Sequence, residues 1–338
     1  MSGTEPFRIS VARGAAWSAA LAVAVALPWI LNSNYYLQLF ILAGINIILA
    51  LGLNIVLGFT GLLSLGHAGL FGVGAYCSAL LVMRTGLSFW LALPASAAFA
   101  ALIGGLIGTC SLRLRGHYLA IATAGFGIII YQVFLNWISL TKGAAALGDI
   151  PEPNPIVIPG VGALTFDTRI SMYFLVLTMT AIAILVSGRI RNSRIGDAFF
   201  SIREDEVAAE VMGIPTFRYK LLAFVLSAAY AGVAGSLYAH YTRIIAPEMF
   251  HLFETVTSLV MVITGGLGSI VGVVVASIFF TLMPEVMREL NDYRMIAYGA
   301  LLVVVMIFLP EGLAGLVKQR FWRGTRAGKR QEAARGAA

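Results

Sequence analysis

Long apolar runs constrain the fold of this chain more than any other feature. The hydrocarbon core of a bilayer is about 30 Å thick and needs roughly 20 apolar residues per helical span. Ten runs approach that length, at residues 14–31, 36–57, 64–83, 89–112, 117–140, 170–188, 220–241, 252–265, 268–284 and 294–313. The eighth and ninth runs are short, which leaves nine spans as the alternative count. Because 59% of the residues are hydrophobic and only 12% are charged, a soluble enzyme is excluded. The sequence predicts an all-α polytopic membrane protein with one transmembrane domain over 1–338.

The positions of the basic residues predict the orientation of the spans. If the N-terminus is cytoplasmic, most of the 23 lysines and arginines fall in cytoplasmic segments, as the positive-inside rule requires. They are densest in the loop 189–219 and in the tail 318–338. We therefore expect both termini in the cytoplasm, with the tail against anionic lipid rather than nucleic acid.

The order of the spans also suggests an internal repeat. Spans 2–5 begin outside and spans 7–10 begin inside, so the parity predicts an inverted repeat, a plan common among transporters. The span map places no Asp, Glu, Lys or Arg near the middle of any span, which disfavours an ion-coupled pump. Because His67 and His117 lie near span ends, an ion-coupled secondary transporter of small polar solutes stays open as an alternative.

Two glycine-rich breaks interrupt the apolar runs, at residues 58–67 and 264–269. Each break is either a tight turn between helices or a broken helix end that serves a substrate, the second only if it reaches membrane depth. The polar candidates for a substrate pathway could equally form hydrogen bonds between helices. The candidate pathway residues are Asn46, Asn54, Ser64, His67, Gly265 and Gly266.

The charged loop 189–219 contains a predicted helix at about 202–212. Ser201 and Glu204 have the spacing of a capping box at its start, and Gly213 followed by Pro215 ends it. Four apolar side chains share one face by their spacing, namely Val207, Ala208, Val211 and Met212. Since so short a helix is marginal in water, we expect it to dock against its own bundle, lipid or a partner groove.

Several stretches of the chain together form a recognisable pattern. They are IREDEVAAEVMGI (202–214), RYKLLAFVLSAA (218–229), LGLNIVLG (51–58), LSLGHAGLFGVGAY (63–76), LRLRGHY (112–118), GGLGS (265–269) and LPEGL (309–313). Together these stretches resemble one family, the LivM-type permeases of bacterial branched-chain amino-acid ABC importers. The resemblance covers nearly the whole chain. It differs at the start of the main external loop, where the family is rich in Thr-Gly-Gly and this chain has Thr141, Lys142 and Gly143.

The resemblance implies a type II-like ABC importer permease with about ten spans in the bacterial inner membrane. It also implies the partners: a LivH-type permease, two ATPase subunits and a periplasmic substrate-binding protein. The residues that match the family's cytoplasmic coupling motif, and that would contact an ATPase, are Glu206, Ala208, Ala209, Glu210 and Gly213. The chain would not be an enzyme, because GTRAGKR (324–330) has the wrong spacing for a Walker A motif. This chain needs no cofactor, and ATP and Mg²⁺ would bind to the partner ATPases.

The function expected from the resemblance is import of branched-chain or related hydrophobic amino acids by alternating access. The alternatives left open are the ion-coupled secondary transporter and an ABC permease for urea, amides or aromatic acids. The sequence does not identify the residues that contact the cargo.

Overall fold

The computed structural model describes residues 22–29, 34–114, 116–158 and 162–287, with isolated positions at 293, 296, 299, 300 and 303. Residues 22–29 are helical. The longer helices that follow are α1 (Asn34–Asn54, continued as a π-helix over Ile55–Phe59), α2 (His67–Thr85), α3 (Phe89–Ser111), α4 (His117–Asn136), α5 (Arg169–Arg191), α6 (Arg194–Glu204), α7 (Glu206–Val211), α8 (Thr216–Thr242), α9 (Leu252–Gly265) and α10 (Ile270–Val286). Short elements between them are a helical turn at Ile138–Thr141, 3₁₀ turns at Gly143–Ala145 and Pro247–Phe250, and an antiparallel hairpin of β1 (Ile156–Ile158) and β2 (Gly162–Leu164).

Among the described residues, six helices are long and apolar enough to cross a membrane. They are Asn34–Phe59, His67–Thr85, Phe89–Ser111, His117–Asn136, Arg169–Arg191 and Thr216–Thr242. The predicted eighth and ninth spans are the short helices α9 and α10. Most of the predicted first and last spans, and the tail 318–338, lie outside the described residues. The predicted count of ten spans is therefore not confirmed.

Helices α1 and α8 form the centre of the bundle. The side chains of α1 are buried over nearly its whole length, whereas α4 is largely exposed and lies at the periphery. The apolar residues of α1 pack with those of α2, α5, α8 and α10 in one continuous core. A helix that is apolar all round is surrounded by protein or faces lipid, and the burial of α1 shows that protein surrounds it.

Small residues let α8 approach its neighbours closely. A Cβ atom built on Gly74 of α2 would lie 2.5 Å from the Cα atom of Gly232 in α8. One built on Gly235 would lie 2.2 Å from the carbonyl oxygen of Phe71 and 2.6 Å from the amide nitrogen of Ala75. Close backbone contact through small residues is a main source of helix association in membranes.

The contact at Gly235 predicts the effect of adding one methyl group there. Gly235→Ala should destabilise the bundle by about 1–3 kcal/mol, because the clash is with backbone that cannot rotate away. The measurement is the thermal unfolding midpoint of the purified protein in detergent. Gly125→Ala is the matched control, since a Cβ at Gly125 of α4 meets no atom within 4 Å. Equal midpoints for the two variants would contradict this account of the packing.

Candidate functional site

The first glycine-rich break folds back into the bundle. His67, the first residue of α2, places its Nε2 atom 3.0 Å from the carbonyl oxygen of Leu49 in α1. At about 1.5 Å per residue, Leu49 lies roughly 22 Å along α1 from Asn34 and roughly 15 Å from Phe59. Helix α2 therefore begins beside the middle of α1, and residues 61–66 form a re-entrant segment. By its geometry, this break is a helix end inside the bundle and not a tight turn at its surface.

Helix α9 begins at the same level in the bundle. The amide of Ala68 in α2 donates to Oγ1 of Thr255 in α9 at 2.9 Å. Residues 243–251, which connect α8 to α9, enter the bundle so that Phe250 is buried against Phe71 and Tyr76. The N-terminal ends of two helices thus meet inside the bundle. Their free amides and positive dipole ends are the groups that broken helices offer to substrates in many transporters.

The second break contacts the first at the other end of α1. Oδ1 of Asn54 accepts a hydrogen bond from the amide of Gly268 at 3.0 Å. A Cβ atom on Gly58 would lie 1.9 Å from that oxygen and 2.5 Å from the Gly268 nitrogen. Only glycine therefore leaves room for this contact. Gly268 also has a φ angle of +80°, a conformation that side-chain-bearing residues avoid.

Arg203, at the end of α6, joins the two breaks. Its Nη1 atom donates to the carbonyl oxygen of Gly58 at 2.6 Å and to that of Leu267 at 3.4 Å. One turn earlier, the ring of Phe200 lies 5.2 Å from the ring of Phe59. The last turn of α6 is thus attached to both breaks. Arg203 could not be identified from the sequence, because a basic residue in a charged loop gives no sign of its distant partners.

The helix predicted at 202–212 begins later than expected. The structure divides this stretch at Asp205, whose side chain accepts from the amides of Val207 and Ala208 at 2.9 and 3.0 Å and caps α7. Ser201 is not a cap, because its hydroxyl donates within α6 to the carbonyl of Asp197. The predicted start was wrong because Ser201 lies inside α6, whereas Asp205 has the extended backbone conformation of an N-cap residue.

The predicted end of the same helix is confirmed. Gly213 has a φ angle of +84°, and its amide donates to the carbonyl of Glu210 at 2.9 Å. The amide of Ile214 donates to the carbonyl of Ala209 at 3.0 Å. This pair of bonds is the Schellman motif, which satisfies the last carbonyls of a helix.

The five residues of the coupling motif divide between the two faces of α7. Ala209 is buried, and Glu206 forms a salt bridge with the buried Lys220 of α8. Glu210 is exposed, although its Oε1 atom accepts a hydrogen bond from Thr216 at 2.6 Å. Ala208 and Gly213 are exposed, and neither has a side chain that forms a salt bridge or a hydrogen bond.

The exposed face of α7 is apolar. Val207 is 65% exposed, and Val211 and Met212 are each 81% exposed. Three large apolar side chains at the tip of a short helix outside the span-length helices are costly to leave in water. This apolar tip has the composition of a contact surface, and the spacing of these residues in the sequence predicts that they share one face.

The candidate pathway residues occupy three places. Asn46 donates through Nδ2 to Oγ1 of Thr281 in α10 at 3.0 Å and lines a cavity between the helices. Ser64 and His67 belong to the re-entrant segment and the start of α2, where both are buried. Asn54, Gly265 and Gly266 lie at the second break. The structure therefore brings together Asn54 and the second break, but not all six residues.

One charged residue lies inside the bundle. Glu254 is in the first turn of α9, next to the Thr255 that contacts α2 inside the bundle. It is therefore at the start of its helix and not in the middle, as the span map has it. That start, however, lies within the bundle.

Residues 147–152, in the loop between α4 and α5, pack on the segment that leads from α8 into α9, at the end of the bundle opposite α6 and α7. Leu147 and Ile245 form an isolated antiparallel bridge. Arg243 forms a salt bridge with Glu152 at 2.9 Å, and Nδ1 of His240 lies 2.7 Å from the carbonyl oxygen of Pro151. This loop is therefore attached to the segment that leads into α9.

Known proteins similar to this chain are transport permeases. The chain is 36% identical over 332 residues to the high-affinity branched-chain amino acid transport system permease protein LivM of Escherichia coli (strain K12), a match that covers 93% of the chain and 78% of that protein. It is 26% identical over 257 residues to the LivH permease of the same strain, covering 72% of the chain and 82% of LivH. The nucleoside ABC transporter permease protein NupC of Lactococcus lactis subsp. cremoris is 25% identical over 178 residues, covering 49% of the chain and 55% of NupC. No solved structure matches the chain.

The family match covers most of the chain. Residues 35–309 fit the family described as the permease component of the branched-chain amino acid transport system, which is a family of transporters and not of enzymes. Together with the apolar helices, this match identifies a multi-pass membrane protein. The chain belongs to the family of branched-chain amino acid transport system permeases.

Proposed function

We propose that this chain is a permease subunit of an ABC importer that moves branched-chain amino acids into the cytoplasm. The observation that carries the proposal is the 36% identity with LivM over 93% of the chain. The identity with the nucleoside permease is lower and extends over about half of the chain, so it favours that cargo less. The complete importer would contain a LivH-type permease, two ATPases that bind ATP and Mg²⁺, and a periplasmic substrate-binding protein.

The proposed orientation places α6 and α7 in the cytoplasm and the loop 141–168 in the periplasm. The basic residues around α6 support it, since they follow the positive-inside rule in the bacterial inner membrane. Both termini are then cytoplasmic. The periplasmic loop, held on the segment 243–251, is positioned to contact the binding protein.

The proposed repeat pairs two parts of the bundle. In the first, the long helix α1 is followed by a re-entrant segment and by α2 and α3. In the second, the long helix α8 is followed by the re-entrant residues 243–251 and by α9 and α10. The contact between Ala68 and Thr255 joins corresponding points of the two parts. This correspondence supports an inverted repeat of spans 2–5 and 7–10.

In the proposed mechanism, the ATPase binds the apolar tip of α7 and moves α6 with it. Because Arg203 holds the carbonyl groups of Gly58 and Leu267, a displacement of α6 acts on both breaks at once. The ATP-bound and nucleotide-free ATPases would each favour one arrangement of the breaks, which is the differential affinity that alternating access needs. Glu206 and Ala209 lie on the bundle side of α7 and contribute to this coupling by holding α7 against α8.

The orientation predicts which positions a membrane-impermeant maleimide reaches in spheroplasts. In a variant whose two cysteines are removed (Cys77→Ser, Cys110→Ser), Ala144→Cys in the outer loop should be labelled. Glu204→Cys at the end of α6 should be labelled only after the membrane is permeabilised. Both positions are exposed in the structure. The reverse pattern would contradict the orientation and the site of ATPase contact.

The apolar tip predicts a separation of assembly from folding. Val211→Asp should reduce the ATPase that co-purifies with the permease by about tenfold or more, because an unpaired charge in an apolar contact costs well over 1 kcal/mol. The unfolding midpoint of the permease itself should not change. Ala209→Trp is the opposite case, since its side chain has to fit between α7 and the bundle, and it should lower the yield of folded permease. If Val211→Asp retains the ATPase, the tip is not the docking surface.

The contacts of Arg203 predict uncoupling. Arg203→Ala should keep the ATPase bound and hydrolysing ATP in proteoliposomes, while leucine uptake per ATP falls several-fold. Arg194→Ala is the matched control, since Arg194 is exposed at the start of the same helix. Arg203→Lys keeps the charge and should recover part of the uptake. An equal loss of hydrolysis and uptake would mean that Arg203 only stabilises the fold.

A further inference from the structure

A cavity of about 400 Å³ lies between α1, α9 and α10. This volume is within the range of small-molecule sites, roughly 300–1,000 Å³. Apolar side chains form most of its wall, and a few polar groups converge on it. The residues that decide its chemistry are Leu42, Met261 and Phe280 on the apolar side and Asn46, Glu254 and Thr281 on the polar side.

Two carboxylates, Glu254 and Glu285, are among the residues that line this cavity. The carboxylate of Glu254 makes no hydrogen bond or ion pair with any residue that the structure describes. An acid in the first turn of a helix is favoured by the helix dipole, but this leaves the acceptor sites of the carboxylate unfilled. A carboxylate inside a membrane bundle is costly unless a cation or several donors face it, and such groups usually mark a substrate or ion site.

Asn46 supplies a second acceptor on the opposite wall. Its amide nitrogen donates to Oγ1 of Thr281 at 3.0 Å, and that hydroxyl donates in turn to the carbonyl of Ser277 at 2.7 Å. These bonds fix the orientation of the amide. No donor among the described residues reaches its Oδ1 atom, which therefore remains available to a cation in the cavity.

We propose that the cavity is a cargo subsite in which Glu254 and Asn46 receive the ammonium group of a zwitterionic amino acid. The apolar wall of Leu42, Met261 and Phe280 receives an aliphatic side chain. This inference rests on the proposed function and adds to it the chemical group by which the permease recognises its cargo. A cargo without a cationic group leaves the carboxylate unpaired and is disfavoured.

The position of the subsite connects it to the breaks. Asn46 lies roughly 12 Å along α1 from Asn54, at about 1.5 Å per residue, and Asn54 contacts the second break. Thr281 belongs to α10, the helix that begins directly after the same break. The helices that line the subsite are therefore also joined to one another at their other ends, through the contacts of Arg203 and Asn54.

Thiol protection tests the subsite directly, in the assembled importer without the binding protein. Thr257 lines the cavity, so Thr257→Cys in the cysteine-free background reports on its occupancy. Millimolar leucine should slow the labelling of this cysteine by a thiol reagent. The matched compound 4-methyl-2-oxopentanoate has the same side chain and carboxylate but no ammonium group, and it should not protect. Adding Glu254→Gln should raise the leucine concentration needed for protection by about tenfold or more, the usual effect of losing a charged hydrogen bond.

Uptake measured with the binding protein separates this inference from the proposed function. Glu254→Gln should reduce leucine uptake about tenfold, while ATP hydrolysis stimulated by the loaded binding protein continues. Glu254→Asp keeps the charge and should retain part of the uptake. Glu248→Gln is the matched control, since Glu248 is exposed on the turn before α9, and it should have no effect.

Three results would overturn the inference and one would overturn the proposed function on which it rests. Equal protection by leucine and by the oxo acid, or Glu254→Gln with unchanged uptake, would show that the carboxylate does not bind cargo. If Glu254→Gln and Glu254→Asp both fail to fold, Glu254 stabilises the bundle and the inference is wrong. A wild-type importer that takes up no branched-chain amino acid would contradict the proposed function itself.

Discussion

The structure depends on satisfying backbone amides that lie inside an apolar bundle without a helical partner. Residues 61–66 enter the bundle as irregular chain, and non-helical backbone at that depth is stable only where protein groups replace water. Oγ1 of Thr123 accepts from the amide of Leu65 at 3.0 Å, and Oγ1 of Thr255 accepts from that of Ala68 at 2.9 Å. Two threonines and one asparagine, Asn54, thus make possible the broken helices on which the rest of the site is built.

This constraint explains how much of the fold could be predicted. Hydropathy predicts an apolar helix wherever the chain is apolar, and the run 252–265 coincides with Leu252–Gly265. It does not measure the depth at which a helix begins, because a helix starting in the middle of a bundle has the same composition as one starting at its surface. The sequence therefore gives no sign that Glu254, the third residue of this run, lies inside the bundle. The contact from Ala68 to Thr255, between residues 187 positions apart, is the observation that shows it.

Helix α7 shows that the sequence also leaves some local features undetermined. Composition predicted that a helix ends at Gly213, since only glycine accommodates that conformation readily. Its start was ambiguous, because Ser201 and Asp205 are both good caps and only tertiary contacts choose between them. The motif also does not say which face is buried. Glu206 pairs with Lys220 of α8 and Ala209 is buried, so these residues hold α7 in place and leave the proposed ATPase contact to Val207, Val211 and Met212.

The proposed cargo subsite and the proposed ATPase contact act on the same two helices, α1 and α10, at different points along their length. Binding energies that share a conformational equilibrium are reciprocal: if the state of the ATPase changes the affinity for cargo, cargo changes the preference for that state by the same factor. Neither effect requires a long pathway, since Arg203 and Asn54 contact the breaks directly and Asn46 is two helical turns away. A rigid α1 between the subsite and the breaks is then enough to transmit the change, and the burial of α1 on all sides is what makes it rigid.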